Sequence, residues 1–252
     1  MDISAAVAPR LVGVGVGPGD PDLITVKAIH VFEAADVILV PSTETSGDES
    51  GRAEHVVLAA VPSAAGKLQR IPFSMAQRSG VGPKRRQSWQ ASAQAAVEAF
   101  QAGATVVAFA TVGDPSVYST FSYLAAEVLA ALPSVEVAVV PGITAMQALA
   151  AASLTPLVEG QESLTLVPAT AGLEAVGVAL ETSDTVVAYK GGRQLAELLR
   201  VVHEHGRDGV LGVNIGLPGQ VLTPLAEVTV ETAPYFSTVL VAPTRTETGG
   251  RL

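Results

Sequence analysis

The stretch Leu11-Val12-Gly13-Val14-Gly15-Val16-Gly17-Pro18-Gly19-Asp20-Pro21 decides the fold. Successive side chains of a strand point to opposite faces, so Val12, Val14 and Val16 share one face and Gly13, Gly15 and Gly17 the other. The valine face is β-branched and packs. The glycine face carries no side chains and admits close approach of backbone or ligand. Asp20 suits a helix N-cap and Pro21 a first helical position, so the stretch reads as strand, turn, helix. It fails as a nucleotide fingerprint. A G-x-G-x-x-G pattern from Gly13 requires glycine where Pro18 stands, one from Gly15 requires it at Asp20, and no Lys-Ser or Lys-Thr follows. Pro18 offers no N–H and Asp20 adds negative charge, which makes a poor phosphate cradle. Two readings stay open here: a ligand-facing loop, or a tight strand–helix turn with no ligand.

The same arrangement recurs downstream. A strand at 105–110 runs into Gly113-Asp114-Pro115 and a helix expected over 116–131, with Asp114 capping it and Pro115 opening it. A strand at 135–140 ends at Pro141-Gly142-Ile143-Thr144, before an Ala-rich helix to about residue 153. Between these lie a helix over 21–34, a strand at 36–40 ended by Pro41 and a loop over 42–51. A helix over 52–60, a strand at 68–72, a loop over 74–87 and a helix over 88–101 follow. Three strands thus end in Gly/Pro turns, and in an open parallel sheet such turns share the carboxyl edge, where ligands bind. After Pro156 strands dominate, at 164–167, 185–189, 210–215, 225–230 and 238–241, with helices over 173–181 and 193–205. The expectation is two α/β domains, the first with a mostly parallel sheet and the second with a mixed one. Their bounds are 10–142 and 143–243, between a disordered tail at 1–9 and a loose tail at 244–252.

Composition narrows the function. The chain has 252 residues, 48% of them hydrophobic and 15% charged, enough to bury a substantial core. No apolar run reaches the length of a membrane span and the start lacks a signal-peptide pattern, so no membrane partner is expected. The absence of cysteine excludes disulfides, thiolate metal sites and Cys nucleophiles, and fits a cytoplasmic enzyme. A net charge of −9 argues against nucleic acid as a partner. The charge is uneven, because residues 55–97 hold no Asp or Glu but contain Lys67, Arg70, Arg78, Lys84, Arg85 and Arg86. That segment is either a solvated loop or a mobile basic flap for a polyanionic ligand. His30, His55, His203 and His205 show no metal-ligand spacing, so no metal site is expected. No Gly-x-Ser-x-Gly elbow appears, and nothing pairs a nucleophile with a base. The chemistry then points to positioning two ligands, one of them intrinsically reactive.

Three motifs carry a family resemblance: Val14-Gly15-Val16-Gly17-Pro18-Gly19-Asp20-Pro21-Asp22-Leu23-Ile24-Thr25, then Gly113-Asp114-Pro115-Ser116-Val117-Tyr118, then Val139-Val140-Pro141-Gly142-Ile143-Thr144. In order and spacing they resemble the tetrapyrrole methylases, the class III S-adenosylmethionine (SAM)-dependent methyltransferases of cobalamin and sirohaem synthesis. Ile71-Pro72-Phe73-Ser74-Met75, Ser119-Thr120-Phe121-Ser122-Tyr123-Leu124, Ala233-Pro234-Tyr235-Phe236-Ser237, Pro218-Gly219-Gln220 and Ser50-Gly51-Arg52-Ala53 are similar to the branch that methylates precorrin-2 at C20. The resemblance implies two α/β domains with a ligand cleft between them, and a homodimer. SAM is the cofactor it implies, with S-adenosylhomocysteine as product and an anionic tetrapyrrole as substrate. Carried over by position, Pro18, Val112, Gly113, Asp114, Val117, Thr144 and Ala145 line the SAM site, with Lys190 and Ile215 contacting it from the second domain. Gly15 and Gly17 face the tetrapyrrole, and Arg52, Arg85 and Arg86 are candidates, on charge alone, for holding its carboxylates. Sirohaem-forming relatives carry an Asp proton acceptor where this chain has Pro41, so no catalytic base is carried over. Methylation of cobalt-factor II at C20, or of a later precorrin at C11 or C17, is the alternative within the family. Outside it stand a tetrapyrrole-binding carrier and an NAD-linked dehydrogenase, and the broken fingerprint weighs against the latter.

Overall fold

The structure, a computed structural model, describes residues 8–42, 51–72 and 83–245, with the side chains of 83–85 outside that description. Contacts divide the chain into two units, Met1–Thr144 and Ala145–Leu252.

The first unit is a five-stranded, wholly parallel sheet in the order β3-β2-β4-β1-β5. The strands are β1 (Arg10–Gly15), β2 (Val37–Ser42), β3 (Leu68–Pro72), β4 (Val106–Thr111) and β5 (Glu136–Val140). The helices are α1 (Val26–Ala34), α2 (Arg52–Ala60), α3 (Pro83–Gln101) and α4 (Phe121–Ala131). Val12, Val14 and Val16 pack with Phe32 of α1 and with Val56 and Val57 of α2 on one face. Leu11, Leu39 and Phe109 pack with α3 and with Phe121 and Leu124 of α4 on the other. The layering follows from right-handed crossovers: steps from β1 to β3 place helices on one face, and the return from β3 to β5 places them on the other. Protein fills the bare face of β1, since a Cβ at Gly13 would lie 2.6 Å from the Phe121 ring.

In the second unit the sheet is mixed, in the order β6-β7-β10-β8-β9. Its strands are β6 (Leu164–Pro168), β7 (Thr185–Tyr189), β8 (Gly209–Val213), β9 (Val221–Pro224) and β10 (Ser237–Val241). Only β6 and β7 pair in parallel; β10 and β9 run antiparallel to their neighbours. Helices α6 (Leu173–Thr182) and α7 (Leu195–Glu204) bury Val176, Leu180, Leu198 and Val202 against one face. Helix α5 (Ala145–Ala152) lies on the other face, with Leu149 so close that a Cβ at Gly212 would meet it at 2.6 Å.

Several expectations are corrected. The helix over 21–34 is a 3-10 turn at Pro21–Leu23 followed by α1, because Thr25 intervenes as N-cap and its hydroxyl accepts from Ala28 N–H at 3.1 Å. Pro41 does not end β2. It pairs with Ile71, beyond the last β2–β4 partner Leu39–Phe109, where its missing N–H costs no ladder bond. The helix over 116–131 starts at Phe121, so Asp114 caps no helix. Residues 83–87, read as loop, open α3, and the strand read at 225–230 lies upstream as β9, with a 3-10 turn at Leu225–Glu227. The basic segment 67–86 is not one loop: Lys67 closes a 3-10 helix, 68–72 is β3 and 83–86 is the first turn of α3. Arg70 holds Glu54 in a bidentate pair at 2.8 and 3.0 Å, and Lys67 donates to the Glu33 carbonyl at 2.7 Å. Arg78 lies outside the described residues, as do residues 1–7 and 246–252 of the two tails and most of the 42–51 loop. Of the tails' described parts, Pro9 accepts from Glu136 N–H at 2.8 Å, and Arg245 pairs with Glu159 at 3.2 Å and with Glu162.

Candidate cofactor site

In the first unit, chain direction across the sheet reverses between β1 and β4. The connection from β1 leaves toward β2 over one face, and that from β4 leaves toward β5 over the other. Such a reversal leaves a crevice outside the carboxyl ends of the two strands. The turns there are 16–20 after β1 and 112–120 after β4, with 141–144 alongside after β5.

These three turns are tied to one another. Gly17 and Gly113 exchange backbone hydrogen bonds at 3.3 and 2.7 Å, each in the left-handed region (φ +81° and +73°) that glycine enters without penalty. A Cβ on Gly15 would sit 2.5 Å from the Gly113 carbonyl, and one on Gly142 only 2.2 Å from it. The Asp114 carboxylate completes the tie. Its Oδ1 accepts from the Ser116 N–H at 2.7 Å and from the Ser116 hydroxyl, and its Oδ2 accepts from Gly142 N–H at 2.9 Å. Burial pushes the Asp114 carboxyl upward, but the Ser116 hydroxyl and the Gly142 and Ser116 amides outweigh it, and its pKa lies below the ordinary value. Asp20 repeats the local pattern by accepting from Asp22 N–H at 2.9 Å. Both Asp-Pro pairs therefore make side-chain turns to the residue two positions on.

This arrangement decides what kind of ligand the edge suits. The amides of Gly17, Gly113 and Gly142 are engaged within the chain and Pro18 has none, so these four positions offer a phosphate no free N–H. Beside them stand the negative charge of Asp114 and the partly accessible side chains of Val112 and Val117. That set suits a cationic or zwitterionic ligand with an apolar body.

The expected residues fall into three groups. Gly15, Gly17, Pro18, Val112, Gly113, Asp114, Val117 and Thr144 are brought to this one edge, with Gly15, Gly17, Pro18, Asp114 and Thr144 buried. Arg52 opens α2 beside the end of β2, where burial pulls its guanidinium below the ordinary value. Arg86, in the first turn of α3, is exposed, and the Arg85 side chain lies outside the described residues. Ala145, Lys190 and Ile215 belong to the second unit. There Ala145 opens α5, Lys190 follows β7 at φ +60°, and Ile215 is buried near Gly212. Sequence reasoning missed Ser116 and Gly142 as partners of Asp114. It also missed Tyr189, whose hydroxyl accepts from Met146 N–H at 3.0 Å in the first turn of α5. A tyrosine at the end of an apolar strand was the available signal for the last.

Comparisons with known proteins identify the family. A family model described as Tetrapyrrole (Corrin/Porphyrin) Methylases matches residues 10–229. The precorrin-2 C(20)-methyltransferase of a Sinorhizobium species is 34% identical over 238 residues, spanning 92% of this chain and 94% of that protein. The cobalt-precorrin-2 C(20)-methyltransferase of Salmonella typhimurium is 29% identical, over 92% and 95% of the two chains. Among solved structures, the uroporphyrin-III C-methyltransferase of Thermus thermophilus complexed with S-adenosylhomocysteine shares the fold, at a TM-score of 0.63 and 22% identity over 92% of this chain and 97% of that one. With the family's model matched over most of its length and such a relative aligned nearly end to end, the chain belongs to the tetrapyrrole (corrin/porphyrin) methylases.

Proposed function

We propose that the chain transfers a methyl group from SAM to C20 of precorrin-2, giving precorrin-3A on the route to the corrin ring. The observation that carries this reading is the 34% identity to a precorrin-2 C(20)-methyltransferase over nearly the whole of both chains. The edge of the first unit supports it: the Asp114 carboxylate, its pKa held below the ordinary value, suits a ligand with an ammonium and a sulfonium.

SAM, when bound, supplies a methyl carbon already activated on its sulfonium. The chain's part is then alignment and exclusion of water, and no side-chain nucleophile is required. Asp114 holds the β4 and β5 turns in fixed relation, so Val112, Gly113, Val117 and Thr144 present one rigid surface, with Pro18 beside them. Ala145, Lys190 and Ile215 are proposed as further cofactor contacts, and Gly15 and Gly17 as backbone contacts of the tetrapyrrole. Arg52, Arg85 and Arg86 are proposed to hold its carboxylates, and the working form is proposed to be a homodimer.

Incubation with methyl-labelled SAM and precorrin-2, read by mass and NMR, tests the reaction. One added methyl at C20 supports it, and SAM binding without transfer moves the substrate to another precorrin. Running the cobalt form in parallel separates this chain's substrate from the one named for the Salmonella relative. Unchanged tetrapyrrole affinity and salt dependence in Arg85→Ala/Arg86→Ala would remove those two residues from the substrate site. Light scattering of the purified chain tests the dimer.

A further inference from the structure

Four non-glycine residues among those described adopt left-handed backbone: Tyr118, Leu154, Lys190 and Asn214. Leu154 has a local reason. It follows the C-terminus of α5, with its N–H bonded to the Ala151 carbonyl and the next N–H, of Thr155, to that of Ala150, the pattern that closes a helix with one left-handed residue. Tyr118 ends no helix. At φ +51° its backbone turns the chain between the loop after β4 and the start of α4. Left-handed backbone is unfavourable outside glycine and persists only where the neighbouring chain is held in place.

The next residue supplies a hold. The Ser119 hydroxyl donates to the Thr111 hydroxyl at 3.2 Å and accepts from Phe121 N–H at 3.2 Å. Both partners are fixed points. Thr111 is the last residue of β4, paired in register with Gly15, and its carbonyl accepts from Val16 N–H at 2.9 Å. Phe121 opens α4 and packs its ring against Phe109, with centroids 5.9 Å apart. Thr120, at the N-cap position of α4, makes no side-chain capping bond, and Ser119 takes the Phe121 amide instead. The loop over 112–118 is thereby closed on itself, leaving β4 at Thr111 and returning to the same side chain at Ser119. Its near end is held separately, by Gly17 on Gly113 and by the Asp114 carboxylate on Ser116 and Gly142.

We propose that the Thr111–Ser119 hydroxyl pair is a clasp that sets the far end of this loop, and with it Val117, for SAM. Thr111 and Ser119 are positioning residues: they act through the loop and touch neither ligand. The proposal rests on the cofactor reading above, in which Val112, Gly113, Asp114 and Val117 contact SAM. None of the residues proposed for the tetrapyrrole lies within 112–118, so the clasp serves the methyl donor and leaves the acceptor's contacts in place.

The test uses the full chain with Thr111→Val, Ser119→Ala, the two together, and Ser119→Thr. It measures Tm, SAM affinity by calorimetry and KM for precorrin-2 at saturating SAM. Thr111→Val keeps the Phe121 N–H bond to Ser119 and removes only the hydroxyl pair, so it separates the clasp from a helix cap. Each single loss is expected to weaken SAM binding about threefold to tenfold. The double variant is expected within about twofold of the weaker single one, because both remove the same interaction. Ser119→Thr keeps the hydroxyl and is expected to bind SAM within about twofold of the unaltered chain. KM for precorrin-2 is expected to hold throughout. A lower Tm with unchanged SAM affinity makes the pair structural and overturns the proposal, as do additive losses or a rise confined to KM for precorrin-2. Amide exchange of Ser116 and Val117, followed by NMR without ligand, separates the clasp from the reading it rests on. Exchange about threefold or more faster in Thr111→Val, in a chain that binds no SAM, keeps the clasp and removes the cofactor assignment. Equal exchange in the two overturns the clasp.

Discussion

At the amino ends of their parallel strands the two units use the same device, and at the carboxyl ends they differ. Asp36, just before β2, accepts from the N–H and hydroxyl of Thr105, just before β4, at 2.7 and 2.9 Å. Asp184, just before β7, accepts from the N–H and hydroxyl of Ser163, just before β6, at 2.9 and 3.0 Å. One carboxylate thus sets the register of each parallel pair. Beyond the carboxyl ends, the first unit places glycine where left-handed backbone is needed next to β1 and β4, at Gly17 and Gly113. The second unit places Lys190 and Asn214 in that conformation directly after β7 and β8. Glycine stands where backbone must touch backbone. Lys190 and Asn214 keep their side chains in that conformation at some cost in strain.

The largest way to break this contrast is to give the first unit's edge a side chain. Gly142→Ala sets a Cβ 2.2 Å from a backbone carbonyl that cannot swing aside, and a loss of about 3 kcal/mol in urea unfolding is expected. Unfolding at the wild-type midpoint would show that the turns are looser than their geometry implies. Asp114→Asn keeps the shape but faces one of the three donors with an NH2 group, at a cost of about 2 kcal/mol. Weaker SAM binding is expected with it; a lower Tm with unchanged SAM affinity would make Asp114 a clamp and nothing more.

The shared amino-end device gives a smaller, matched pair. Asp36→Ala and Asp184→Ala should each cost about 1 kcal/mol, as removal of a helix cap does, and a clear inequality in Tm would end the equivalence. Asp36 adds a pH signature. Hydrogen bonds from Val106 N–H, then from Thr105, hold its carboxyl below the ordinary value. A depressed folded pKa gives stability that is present above the unfolded value of about 4 and is lost as pH falls through the folded one. Asp36→Asn should therefore shallow the acid side of a Tm-against-pH curve, and an unaltered slope would remove Asp36 as its source. The smallest effect is a gain. Leu154 is 89% exposed at a helix-closing position that favours glycine, so Leu154→Gly should add about 0.5–1 kcal/mol. A thermal melt that moves downward instead would give Leu154 a contact role that its exposure hides.

Much of this was legible in the chain. β1, α2 and β7 follow from apolar runs bounded by turn residues, and the valine and glycine faces of β1 follow from period two alone. The three strand-end turns were readable as one edge because a parallel sheet leaves them no other place. Long-range partners were not readable. Nothing local to Asp114 reveals that its second oxygen takes the Gly142 amide, and Asp-Pro before an apolar run imitates a helix start. Pro41 inside β2 was hidden because its tolerance depends on where a neighbouring strand stops. Ala226, Val228 and Val230 alternate with Glu227 and Thr229 like a strand, but Leu225 enters the core from a 3-10 turn and Val230 is exposed. Arg70 looked like part of a basic patch until folding brought Glu54 against it.

The contact among Gly15, Gly113 and Gly142 has an evolutionary consequence. The Gly113 carbonyl and each other's backbone fill the space that a Cβ on Gly15 or Gly142 would need, so a first substitution at either meets a wall, while at Gly113 itself the left-handed φ of +73° is what favours glycine. No single step opens a path to a different residue there. A descendant of this chain would be expected to keep all three glycines together, or to lose them only after the strand-end turns had been rebuilt, so that three positions more than a hundred residues apart at their extremes behave in inheritance as one.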